Sequence, residues 1–171
     1  LEEIPPFHHE FLYYTGSMAE GNAHFAQSAK HAIDVCELKR GDMVVDIGSN
    51  DGTFLHHFKA LGMEVMGFEP EYKIAQVSIS RGIPTINSYF GKGFALINSK
   101  GDFVKAKLIT ANNVVANLHN LDAFMEGIVE SLDKCGTFIL ENFYLADMLN
   151  NRVFDFLYHE QPSAFSIKPV K

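Results

Sequence analysis

The sequence predicts an α/β fold, a mostly parallel sheet with helices on both faces. Three observations carry that expectation. From residue 43 onward, short apolar, β-branched runs alternate with segments of helical period, as parallel strands joined by crossover helices require. The first run, MVVDIG at 43–48, is apolar nearly throughout, as expected of a strand covered on both sides. It leads into a glycine-bearing loop, GSNDG at 48–52, at the point where strand gives way to helix.

The elements follow in order. The first sixteen residues, LEEIPPFHHEFLYYTG, are rich in proline and aromatics and have no sustained period. A helix comes next. Asn22 is a suitable cap, and Phe25, Ala26, Ala29, Ala32, Ile33 and Cys36 recur at helical spacing on a core-facing side. Arg40-Gly41-Asp42 turns the chain into the 43–48 strand. A helix from about Gly52 to Leu61 precedes a second strand, EVMGFEP at 64–70. Residues 72–81 read as helical and IPTIN at 83–87 as a third, short strand. A further helix is expected over 92–99, before a fourth strand, KLITANN at 107–113. Asp122 to Leu132 reads as helix and GTFILENF at 136–143 as the fifth strand.

Composition narrows the class. The chain has 171 residues, enough for one well-packed domain. Its formal net charge of −7 argues against gripping a phosphate backbone, so no nucleic-acid partner is expected. No apolar run approaches the ~20 residues that span a bilayer, and no secretory signal opens the chain. A cytoplasmic protein without a membrane partner is expected. Cys36 and Cys135 cannot make a zinc site alone and are expected as buried thiols. His8-His9 and His56-His57 are adjacent pairs whose side chains diverge on either a helix or a strand, so no metal is expected. The chain opens on Leu1 and ends in FDFLYHEQPSAFSIKPVK, whose apolar residues need a partner surface. A piece of a longer protein is expected.

In an open parallel sheet, ligands bind beyond the carboxyl ends of the strands, where strand order reverses. The loop Asp46-Ile47-Gly48-Ser49-Asn50-Asp51-Gly52 belongs there. Gly48 permits a tight turn and a close backbone approach to a ligand. Glu69 comes twenty-one residues after Gly48, at the end of the second strand beside Pro70. A carboxylate there can accept hydrogen bonds from both hydroxyls of a ribose. Loop and acid together indicate a nucleoside-containing cofactor in a Rossmann-like domain.

The dinucleotide fingerprint needs glycine at 48, 50 and 53, whereas this chain has Gly48, Asn50 and Thr53. Asp46 and Asp51 would repel a diphosphate but suit the ammonium and sulfonium of S-adenosylmethionine (SAM). SAM is therefore the expected cofactor, with Ser49 and Pro70 in its binding loops. Asp51 also has a plainer role open to it, capping the next helix. Tyr89, just after the third strand, is a candidate to lie on the adenine. Phe11, Tyr14 and Phe90 serve either as core aromatics or as pocket lining.

The segments VVDIGSNDGTFL, GFEPE, ITANNVVANL and FDFLYHEQ, in that order and spacing, resemble the C-methyltransferases that act on nucleotide-linked keto-deoxysugars. The resemblance runs from about Phe11 to the last residue. It implies a SAM-dependent methyltransferase fold, with Asp46, Gly48, Asn50, Glu69 and the Asn112-Asn113 pair around the cofactor. It also implies that Tyr13, Asn117, Glu160 and Gln161 face a sugar. Members of that family are longer, with a cysteine-rich zinc-binding region before this domain and a second α/β domain after it. The expected division here is a substrate-side segment at 1–16, a SAM-binding domain at 17–150, and the start of another substrate-side segment at 151–171.

Family members carry histidine where this chain has Asn117 and Gln161. The family chemistry removes a proton from the carbon beside a ketone, and the enolate attacks the SAM methyl. Histidine suits that task because its pKa lies near working pH. Asparagine and glutamine can hydrogen-bond an enolate oxygen but cannot take its proton. Glu160, His159, Tyr13 and His119 are the other candidates for a base. Three functions stay open on these residues: C-methylation of a nucleotide-linked keto-sugar, O- or N-methylation of another small molecule, and SAM binding without catalysis.

Overall fold

The computed structural model of the protein describes residues 19–118, 120–152, 164 and 166. Helix α1 (Ala19–Val35) precedes β1 (Met43–Ile47), α2 (Thr53–Ala60), β2 (Glu64–Phe68), α3 (Tyr72–Ser80) and β3 (Thr85–Ile86). Two short strands, β4 (Leu96–Ile97) and β5 (Phe103–Val104), pair antiparallel with each other. Then come β6 (Ala106–Asn112), a 3-10 turn over Val115–Asn117, α4 (Leu121–Ser131), β7 (Leu132–Glu141) and α5 (Leu145–Asn151). The main sheet has the order β3-β2-β1-β6-β7, and all its pairings are parallel. The expected α/β, Rossmann-like architecture is the one observed.

The pleat explains why β1 is apolar on both sides. Met43, Val45 and Ile47 point to one face and join Phe124 and Ile128 of α4. Val44 points to the other and joins Ala29 and Ala32 of α1 with Phe54, Leu55 and Phe58 of α2. All five residues of β1 are buried. Each large side chain so covered contributes roughly 1.5–3 kcal/mol. Strand order reverses beside β1, which has β2 on one side and β6 on the other. The loop that leaves β1 therefore opens into the crevice where such sheets bind ligands.

Five expectations need correction. Residues 92–99 are not a helix. Phe90 and Phe94 pack on Phe68 at the spacing of a helical turn, but Gly93 sits at φ +85°, outside the helical region. Leu96 and Ile97 instead pair with Val104 and Phe103. Asn22 is not a cap, because α1 starts at Ala19; its Oδ1 meets His57 Nε2 at 2.8 Å. Ala26 lies on the exposed side of α1, although Ala29 and Ala32 are buried as expected. β7 starts at Leu132, four residues before the expected Gly136, and its pairing with β6 is irregular between Ala106 and Leu108. Cys135 falls in that irregular stretch and is exposed, and Cys36 is only half-buried. No described helix is long and apolar enough to cross a membrane.

Candidate functional site: the β1 loop and the ends of β2 and β6

The loop after β1 has an unusual backbone. Gly48, Asn50 and Gly52 have φ of +70°, +50° and +78°, so alternate residues are left-handed and the chain coils tightly before α2. Gly48 and Ser49 donate their N–H groups to the Phe68 carbonyl at 2.8 and 3.0 Å, which pins the loop to the end of β2. A Cβ on Gly48 would lie 2.5 Å from Val114 Cγ2. The close approach that glycine allows here is thus to the segment after β6. Ser49 turns toward β2: a Cβ on Gly67 would lie 2.4 Å from its Oγ, and Ser49 is buried.

Glu69 is 7% exposed and links the two segments. Its Oε2 accepts from Asn50 N at 3.0 Å and its Oε1 from Glu71 N at 2.9 Å. Asn87 clamps the same corner, donating from Nδ2 to the carbonyls of Glu69 and Pro70 at 2.9 and 2.8 Å. Pro70 is half-buried beside it. The acid after β2 is therefore held against the glycine loop by backbone donors that preset its orientation.

Asp46 and Asp51 occupy different surroundings. Asp46, in β1, stands opposite Thr110 of β6. It accepts from Thr110 Oγ1 at 2.7 Å and is 3% exposed. Burial pushes its carboxyl from the ordinary 3.8 up to about 7; the Thr110 bond opposes that rise and the Glu69 charge adds to it. Asp51 is completely buried and serves α2. Its Oδ1 accepts from Thr53 N and Thr53 Oγ1 at 3.2 and 2.7 Å, while Oδ2 meets Arg81 at 2.8 Å. Asp51 is thus engaged by the first residue of α2 and by Arg81, while Gly52 takes the N-cap position.

Across the crevice, Asn112 ends β6 and Asn113 follows at φ +56°. Asn113 donates its N–H to the Glu141 carbonyl at 2.8 Å. Asn117 lies in the 3-10 turn and donates from Nδ2 to the Asn113 carbonyl at 3.4 Å. Tyr89 is 71% exposed. Tyr13, His119, His159, Glu160 and Gln161 lie outside the described residues, as do Phe11 and Tyr14. The described residues hold no cluster of His, Cys, Asp and Glu suited to a metal ion. Sequence reasoning missed Thr110, Arg81 and Asn87. Thr110 carried a signal, since a polar residue inside a buried strand needs a buried partner.

Residues 21–166 match the family described as a methyltransferase domain. The chain belongs to that family. It is similar to a C-methyltransferase of Streptomyces niveus, NovU, with 31% identity over an alignment of 147 residues that covers 82% of this chain. It spans about a third of that relative's length, 34%. The YcgJ protein from Bacillus subtilis shares the fold at a TM-score of 0.65 and 15% identity, over 84% of this chain and 64% of its own. A glycopeptide N-methyltransferase, MtfA, solved with SAM, does so at 0.53 and 16%, over 67% and 53%. The architecture is that of Rossmann-like SAM-dependent methyltransferases.

Proposed function

We propose that the chain is the SAM-binding domain of a methyltransferase for a small polar acceptor, and that the reaction is C-methylation of a nucleotide-linked keto-sugar. One observation carries the cofactor assignment: the Glu69 carboxylate is held by Asn50 N–H at the mouth of the left-handed loop. Glu69 would take the ribose hydroxyls. Gly48, Ser49 and Asn50 would line the methionine side, Pro70 and Tyr89 the adenine side, and Asn112 and Asn113 the opposite wall. The charge of the site fits a cationic cofactor, since the Glu69 carboxylate lies at the loop while the Arg81 cation is engaged by Asp51. When bound, SAM supplies an electrophilic methyl group. Similarity to a C-methyltransferase supports the choice of carbon.

The chain's own residues then position the acceptor and move its proton. Asn117 carries an amide and cannot accept the acceptor's proton. The base must come from elsewhere, and Tyr13, His159 and Glu160 are the candidates on the substrate side. Asn117 also supports a second reading, transfer to oxygen or nitrogen. An acceptor that is already nucleophilic needs orientation more than a base, and MtfA is an N-methyltransferase.

Incubation with SAM and a nucleotide-linked keto-deoxysugar in deuterated buffer tests the choice. C-methylation leaves one fewer exchangeable proton at the modified carbon. A product that keeps the full set, with methyl on oxygen or nitrogen, would replace the first reading with the second. A folded protein that turns over none of these acceptors would leave only cofactor binding.

A further inference from the structure

Two buried amide oxygens flank the end of β6, and no described residue donates to either: Oδ1 of Asn117 and Oδ1 of Asn142. Asn113 ties them to one place. Its N–H donates to the Glu141 carbonyl at 2.8 Å, which sets Asn142, the next residue, alongside it. Its carbonyl accepts from Asn117 Nδ2 at 3.4 Å. That bond fixes the Asn117 amide with nitrogen toward Asn113 and oxygen turned away. Val114, the following residue, packs over Gly48. The two amides therefore sit at the carboxyl ends of β6 and β7, beside the loop that leaves β1.

Buried polar atoms almost always find a partner, and each exception calls for something that completes it. An oxygen lacking a donor is selective. It takes a hydroxyl or an N–H and rejects a ketone or ether oxygen at the same position. Resting on the methyltransferase reading above, we propose that Asn117 and Asn142 form a pair of hydrogen-bond acceptors that holds the methyl acceptor through its own hydroxyl or amine groups. Asn142 is then a specificity-determining residue. The acceptor carries a donor group near the atom that is methylated.

The near-isosteric Asn142→Leu tests this in two ways. Without ligand, it removes an unsatisfied oxygen, so Tm rises by about 2–4 °C; a purely structural asparagine would make Tm fall. Asn142→Ala removes the amide without adding bulk and keeps the test valid if leucine overfills the site. In protein saturated with S-adenosylhomocysteine, titration with dTDP-glucose, a nucleotide-linked hexose rich in hydroxyls, reads the acceptor side. Both variants should lose about tenfold or more in affinity for it, with affinity for S-adenosylhomocysteine within about twofold of wild type. A lower Tm in both variants, or dTDP-glucose binding no weaker than that of the wild type, overturns the inference. A wild-type protein that does not bind S-adenosylhomocysteine overturns the methyltransferase reading instead.

Discussion

Replacing Gly48 by alanine should be among the most damaging single changes in the cofactor half, and its cost can be divided in advance. Gly48 sits at φ +70°, and an added Cβ would lie 2.5 Å from Val114 Cγ2. The backbone share, an L side chain in the left-handed region, is about 1–2 kcal/mol. The steric share, overpacking against a neighbour that has little room to move, is about 1–3 kcal/mol. Together they remove roughly 2–5 kcal/mol, a large part of the stability of a typical domain. Urea denaturation of Gly48→Ala, Val114→Ala and the double variant separates the shares. Val114→Ala deletes the methyl that clashes, so the double variant should recover about 1–3 kcal/mol relative to the sum of the singles. The backbone share should persist. Costs that simply add, within about 0.5 kcal/mol, would refute the claim that Gly48 is glycine because of Val114.

Other perturbations follow from the same corner. Arg81→Met removes the cation from Asp51, which is fully buried, and should cost roughly 1–3 kcal/mol in urea denaturation; an unchanged midpoint would mean that the pair contributes nothing. Asp46 holds its proton up to about pH 7 in the fold but releases it near 3.8 when exposed. Between those values the folded state binds more protons than the unfolded one, so this group makes stability fall as pH rises through that window. Asp46→Asn should flatten the fall, and parallel stability profiles for wild type and variant would contradict the assignment. Thr110→Val deletes the bond that favours the charged carboxylate. It should shift the Asp46 titration, followed by carboxyl NMR, upward; a downward shift would show that the bond favours the neutral acid.

Much of the fold could be read from residues whose role is local. β1 announced itself because five consecutive buried residues face helices on both sides, which leaves an apolar run with no alternation. Glu69 was legible as an acid standing directly after an apolar strand, where a buried charge needs partners. The β4–β5 hairpin was not. Its strands are two residues each, too short to show a period, and Phe90 and Phe94 mimic a helical turn because both reach Phe68. The fate of Asp51 depended on Arg81, thirty positions away in sequence and beside it only after α3 has packed. Asn142 gave no signal either, because an orphaned oxygen is defined by what the fold fails to bring to it. Long-range pairing of polar groups is the part that a single sequence conceals.

On the proposed function, the loop after β1 together with Glu69 is a SAM site and not a dinucleotide site. Isothermal titration of the protein with SAM, beside NAD and beside a Glu69→Gln variant, tests it most directly. SAM should bind the wild type, bind Glu69→Gln about tenfold or more weakly because the charged acceptor for the ribose is lost, and outcompete NAD entirely. Binding of NAD in place of SAM, or equal affinity of SAM for both proteins, would contradict it.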